Sequence, residues 1–284
     1  MYYMGGSFEE SNMVQYLDKE VKGLGDAKIA GMEMKIGVAL SQDGIAFGRV
    51  EGDHPSGACM AAYDESDPNM KYMKNMRDDD GSRLNLEEEL YTAWPEVVVN
   101  LTPKDQRGKG MAQRDFYMFY STMVKATKEK AIGVAVSTDG FKWEKRGVTI
   151  RPEADSLDDA GCARCSVVRK ASFSDENGWE DTEGWLMLYE GVSSEDGKHR
   201  IMAAESEDLR NWTKTGVVLD IGEEGAWDSE GVGAPHLLRL DDGNTRMYYT
   251  GQGEGGSTAI GVAKTTGDDF KFVREQASLS FSLE

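Results

Sequence analysis

Short apolar runs, each closed by a polar turn, recur along the chain and predict strands that come in sets of four. The run Ile36-Gly37-Val38-Ala39-Leu40-Ser41-Gln42-Asp43-Gly44 is matched, at constant spacing, by Ile132-Gly133-Val134-Ala135-Val136-Ser137-Thr138-Asp139-Gly140. A third copy runs from Ile201 to Trp212. A fourth, with one residue inserted, runs from Ile260 to Phe272. Each copy begins as an apolar strand and breaks at Asp or Asp-Gly, where a carboxylate can bind local backbone N–H groups. It resumes at an aromatic suited to packing between sheets. Upstream of each copy lies a strand rich in Tyr, Met and Phe: Met1–Met4, Phe116–Tyr120, Trp185–Tyr189 and Arg246–Tyr249. Three of the units carry a further strand before that one: Pro95–Val99, Cys165–Arg169 and Pro235–Arg239.

Four short antiparallel strands per unit are the content of one propeller blade, with the innermost strand first in sequence. The pattern therefore predicts an all-β, single-domain β-propeller over 1–284. Residues 51–93 interrupt it as an acidic insertion between the first two units, without strand periodicity, and read as a long loop or lid. Ser11, Met13, Val14, Leu17, Val21 and Leu24 have helical spacing after a Ser start signal and predict a short helix over 11–24. The first unit lacks its innermost strand. The expectation is a chain that, as given, omits an N-terminal blade and the first strand of the next. The alternative is closure by a C-terminal strand over Ser278–Leu283.

Charge narrows the set of ligands. The net charge is -19, from 51 acidic against 32 basic residues, which disfavours phosphate backbones and anionic membrane surfaces. A neutral sugar or a protein partner remains compatible. No apolar run reaches the length of a membrane-spanning helix. Three cysteines cannot all pair within the chain, which mildly favours a reducing compartment.

The hairpin Ser137-Thr138-Asp139-Gly140-Phe141-Lys142-Trp143, the blade opening Trp227-Asp228-Ser229-Glu230-Gly231-Val232-Gly233-Ala234-Pro235-His236 and the strand Met247-Tyr248-Tyr249-Thr250-Gly251 carry a resemblance. Together they resemble the five-bladed propellers of the arabinanase, levansucrase and invertase type, especially the relatives in glycoside hydrolase families 43 and 130. The resemblance covers nearly the whole chain. Sialidase Asp boxes fit less well, because Gly follows Asp directly in the first two units, and the regular Gly-His and Trp-Asp pairs of WD40 repeats are absent.

What the resemblance implies is a sugar-cleaving or sugar-transferring site built from carboxylates on innermost strands, without an organic cofactor. Two opposed carboxyls are the minimum for glycosidic chemistry. The blade openings offer Glu96, Asp158, Asp159, Asp228 and Glu230. The expected general acid is Glu230, with Glu96 or Asp159 as the partner carboxylate. Trp94 and Trp227 offer flat faces to a sugar ring. Arg164, His236 and Asp228 are further candidate contacts, and Arg114 is a weaker one. Asp158 aligns with Asp228, so both also read as recurrent blade-opening residues that hold local structure. The family's usual first carboxylate has no counterpart in this sequence. A non-catalytic propeller that binds or scaffolds within a larger assembly is therefore the competing expectation. Cys162-Ala163-Arg164-Cys165 lacks a second pair of ligands and reads as packing, and the Asp78–Asp80 cluster reads as a solvated charge run.

Overall fold

The computed structural model describes residues 1–17, 27–78, 81–107, 113–266 and 270–275. Strands dominate them, arranged as four antiparallel units called blades I to IV here. Blade I consists of Tyr2–Gly6, Met34–Leu40 and Gly48–Val50. Blade II consists of Glu89–Val99, Phe116–Val124, Lys130–Ser137 and Glu144–Ile150. Blade III consists of Gly161–Ser174, Gly178–Val192, His199–Ser206 and Thr213–Leu219, and blade IV of Gly231–Arg239, Asn244–Gln252, Thr258–Thr266 and Val273–Arg274. In blades II to IV the first strand is innermost. Neighbouring inner strands lie against one another. Blades III and IV are joined by one parallel pair, His199 opposite Gly231. Among the described residues no sheet closes on itself, and Tyr2–Gly6 pairs only with Met34–Leu40.

The middle of the second strand is apolar in blades II and III, over Phe116–Tyr120 and Trp185–Tyr189, because both faces are covered there, as expected for fully buried strands. Side chains alternate across a strand. Tyr117 and Phe119 accordingly join Cys162, Val167, Met187 and Tyr189 in the core between blades II and III. Met118 and Tyr120 turn the other way, onto Ile36 and Met60 of the blade I side. Leu186 and Leu188 likewise face Val232, Met247 and Tyr249 of blade IV. The aromatic after the hairpin packs between sheets in the second and third units and is buried in the fourth, as Phe272, whereas Phe47 of the first stays 43% exposed. Trp143 meets Tyr2 edge-on at 5.6 Å, and Trp212 meets Phe119 edge-on at 5.7 Å.

The Ser-x-Asp hairpins hold their turns through side chains. In the second unit Ser137 Oγ accepts from Gly140 N–H at 2.9 Å, while Asp139 Oδ1 accepts from Phe141 and Lys142 N–H at 2.8 and 2.9 Å. Ser41/Asp43 and Ser206/Asp208 repeat the arrangement. Where the first two turns use Gly44 and Gly140 at positive φ, the third uses Leu209 at φ 63°, with its side chain in the core. The turn of the fourth copy falls at 267–269, outside the described residues.

Three expectations change. Ser11 does not start an α-helix, because it pairs with Ile29 in a short two-stranded ribbon, and a 3₁₀ turn follows over Met13–Tyr16; residues 18–26 lie outside the described residues. The 51–93 segment is no free loop. Its Ala61, Tyr63, Met70 and Met73 form a buried cluster, Pro68–Asn75 is a 3₁₀ helix, and blade II already begins at Glu89. Asp78 is paired with Arg210 of the third hairpin instead of being solvated. The C-terminal strand expected over 278–283 lies outside the described residues.

Candidate functional site

Each complete blade is pinned by a carboxylate at the opening, a tyrosine on the second strand and a cation on the outer strand. In blade II Glu89 accepts from Tyr120 Oη at 2.8 Å and from Lys145 Nζ at 2.5 Å. In blade III Asp158 accepts from Tyr189 Oη at 2.8 Å and from Lys214 Nζ at 2.6 Å. In blade IV Asp228 accepts from Tyr249 Oη at 2.9 Å and from Arg274 Nε at 2.7 Å. Burial opposes ionisation of Asp158, but the bonds from Lys214, Ser156 and Tyr189 outweigh it and hold the carboxyl below its ordinary range. Burial, with the adjacent carboxylate, pushes the Tyr120, Tyr189 and Tyr249 phenols up. Asp228, expected above among the ligand contacts, is 1% exposed and fully occupied in this clasp.

Six residues after Asp158 and Asp228, and five after Glu89, each inner strand bulges at a residue in the left-handed region. These are Trp94 (φ 47°), Arg164 (φ 39°) and Ala234 (φ 49°), and the strand register shifts at each. Such a conformation costs a non-glycine residue of order 1–3 kcal/mol and persists only where surroundings impose it. The second strand of the preceding blade helps to impose it. Arg164 N–H donates to Ser121 Oγ at 2.8 Å, and Ala234 N–H donates to Glu190 Oε2 at 2.9 Å. Ser121 and Glu190 follow Tyr120 and Tyr189, so they occupy one position of the repeat.

The bulges bring together a polar cluster. The Arg164 guanidinium lies over the Trp94 ring, 4.6 Å from its centre, and reaches Glu190 at 3.2 Å. His199 Nδ1 sits 2.6 Å from Glu190 Oε1. Gly233 packs so close to the Glu190 carboxylate that no side chain fits there. Burial works against the charged form of Glu190, but His199, Arg164 and the Ala234 N–H together keep its pKa below the ordinary value. Glu190 was not singled out from sequence. Its signal was a mismatch in the repeat: Ser121 and Thr250 stand where it does.

Glu96, two residues beyond the bulge, accepts from Val167 N–H at 3.1 Å and from Ser166 Oγ at 3.4 Å on the next inner strand. Burial pushes its carboxyl up, while those bonds and the facing His236 pull the other way. His236 is itself exposed. Asp159 accepts from Ser194 N–H at 2.6 Å and from Ser194 Oγ, which lower its pKa. Glu230 is exposed and 3.2 Å from Lys198. Among the described residues no hydrogen bond or ion pair joins Glu96 to Asp159 or Glu230. Trp227 stacks on Tyr249 at 5.7 Å and stays 43% exposed. Arg114 pairs with Glu144. Cys162 donates to Asp158 at 3.4 Å, burial pushes its thiol and that of Cys165 up, and among the described residues no cluster fit for a metal ion is found. No helix among them is long and apolar enough to cross a membrane.

With this geometry in hand, solved structures supply the comparison. A glycosyl hydrolase from Bacteroides ovatus matches 90% of the chain with a TM-score of 0.54 at 17% identity. The β-1,2-mannobiose phosphorylase from Listeria innocua matches 96% of it with a TM-score of 0.54 at 14% identity. The fold is that of the glycoside hydrolase-like propellers. Among curated proteins, sucrose-6-phosphate hydrolase of Bacillus subtilis is 27% identical over 147 residues, 48% of this chain. The chain spans 28% of that relative's length, and 63% and 66% of the two solved chains. No family model matches the sequence.

Proposed function

We propose that this chain is a carbohydrate-active, five-bladed-type propeller that holds an oligosaccharide against the bulged inner strands of blades II to IV. The observation that carries this reading is the repeated left-handed bulge, which presents Trp94, Arg164 and Ala234 on three adjacent inner strands around one buried carboxylate, Glu190. Aromatic faces and a few fixed polar groups are what a sugar site requires. Glu96 and Asp159 have opposed environments, one raised by burial and one lowered by hydrogen bonds. That division suits a proton donor and a base. Glu96 therefore takes the acid role in this proposal, ahead of Glu230, whose exposed carboxylate is matched to Lys198. Trp227 and His236 extend the surface for further sugar units.

A second reading, a propeller that binds without cleaving, draws support from the partners that Glu96, Asp159 and Glu230 already have inside the protein. One experiment separates them. A panel of oligosaccharides is titrated calorimetrically against the protein and against Glu96→Gln, and released reducing sugar is measured in parallel. The enzyme reading expects binding by both proteins, with cleavage falling on the order of 100-fold in Glu96→Gln. Binding without cleavage by either favours the second reading, and absence of binding overturns both.

A further inference from the structure

The repeat supplies its own control for the bulge on the inner strand of blade III. Trp94, Arg164 and Ala234 hold the same left-handed backbone on three adjacent inner strands, and at Ala234 a methyl group suffices. The guanidinium of Arg164 is therefore not needed to make the bulge. Nor is a carboxylate needed to brace one, since Ser121 Oγ accepts the bulge N–H of blade III just as Glu190 accepts that of blade IV. Arg164 and Glu190 thus form an ion pair, at 3.2 Å, that the scaffold does not require.

That pair fixes one corner of the guanidinium and leaves one edge open. Nη1 alone reaches Glu190, at 3.5 and 3.2 Å from its two oxygens, and the Trp94 ring covers one face at 4.6 Å. Nε and Nη2 make no hydrogen bond among the described residues. The Arg164 side chain stays 34% exposed although the inner strands of blades II and IV lie on either side of its own. The buried Glu190 carboxylate is shared with His199 Nδ1 at 2.6 Å and Ala234 N–H at 2.9 Å, so it neutralises the arginine only in part. Two residues past the Ala234 bulge, the exposed His236 faces Glu96. A fixed, partly uncompensated cation therefore stands at this site in a chain of net charge -19.

We propose that Arg164 recognises a carboxylate on the sugar, so that the ligand of this site is an acidic, uronate-containing oligosaccharide; this rests on the carbohydrate function proposed above. The Nε and Nη2 N–H bonds run parallel and match the two oxygens of a planar carboxylate side-on. Trp94 and Glu190 hold that fork before the ligand arrives, which removes part of the ordering cost of binding. One partly neutralised arginine in an acidic chain suits a single negative charge, whereas a phosphate ester brings nearly two. A neutral sugar offers hydroxyls to the same donors without the charge.

The probes are trisaccharides of galacturonate, mannuronate and guluronate, titrated calorimetrically against the full chain. Each is run beside its methyl ester, which keeps the sugar and removes the charge, beside the corresponding neutral hexose trisaccharide, and beside a phosphorylated hexose. At least one free acid is expected to bind about tenfold to a hundredfold more tightly than its ester, the range of one charge-assisted hydrogen-bonded contact. Arg164→Met keeps an apolar stem on Trp94 and should bring the acid down to the affinity of the ester while leaving the ester unchanged. Arg164→Lys keeps the charge without the fork, should retain only part of the preference, and serves where Arg164→Met does not fold. Equal affinity for acid and ester, or a preference that survives both substitutions, overturns the carboxylate assignment and leaves the carbohydrate function standing. Tighter binding of the phosphorylated hexose overturns it in favour of a dianion. If no sugar of the panel binds, the carbohydrate function falls and this inference with it.

Discussion

Lys145 is 1% exposed beside Glu89, and burial pulls its pKa below the ordinary value against the opposing pull of that carboxylate. Removing one member of such a pair leaves an uncompensated buried charge. Lys145→Met is expected to cost about 3–5 kcal/mol in urea unfolding, and adding Glu89→Leu should restore much of it. The hairpin acids work at the surface instead. Backbone N–H groups hold Asp43 at about 2, and they also lower Asp139, while Asp208 is lowered by such bonds against the effect of burial. A carboxyl whose folded pKa lies below its unfolded one stabilises above the unfolded value and loses that contribution as pH falls through the folded value. The urea midpoint should therefore hold from neutrality to about pH 5 and decline between about pH 4 and 2, with Asp139→Ala flattening part of that decline. The Ser-x-Asp turns were legible in sequence because the turn chemistry is local. Glu89 was not, since it ends the run Glu87-Glu88-Glu89 and its partners, the Tyr63 N–H, Tyr120 and Lys145, are all distant in sequence. Glu190 was hidden for the same reason, because Arg164 and His199 reach it across neighbouring strands of blade III and Ala234 reaches it only once blade IV is alongside.

At the scale of the strand, the repeat predicted the sets of four, because strand centres buried on both faces must be apolar, but it missed their ends: Gly161–Ser174 and Gly178–Val192 run well past the expected Cys165–Arg169 and Trp185–Tyr189. The bulges escaped it. Trp94, Arg164 and Ala234 share no side-chain property, and only the backbone reveals that they are equivalent. Ala234→Gly should relieve a left-handed conformation worth 1–3 kcal/mol at an unfolded-chain cost of roughly 0.5–1, raising stability by about 1 kcal/mol in thermal unfolding. Phe119, wedged against Trp212 between blades II and III, lies at the opposite extreme. Phe119→Ala is expected to cost about 3–5 kcal/mol by the same measurement. The helix expected over 11–24 failed in its described part because Ser11 had a competing use, as the partner of Ile29 in a ribbon.

Across the whole molecule, a net charge of -19 repels itself in the compact state. Raising NaCl from about 50 mM to about 500 mM shortens the screening length severalfold, so the unfolding temperature at neutral pH should rise, as differential scanning fluorimetry would show. The blades are not joined alike. Blade II meets blade III through side-chain packing and isolated bonds such as Ser121 to Arg164, whereas His199 and Gly231 continue one hydrogen-bonded sheet from blade III into blade IV. Cooperativity should divide along that difference. Amide protons of Trp185–Glu190 and Met247–Gly251 are expected to exchange with a shared opening free energy, as one unit, with blade II opening separately and Tyr2–Gly6 exchanging fastest of all.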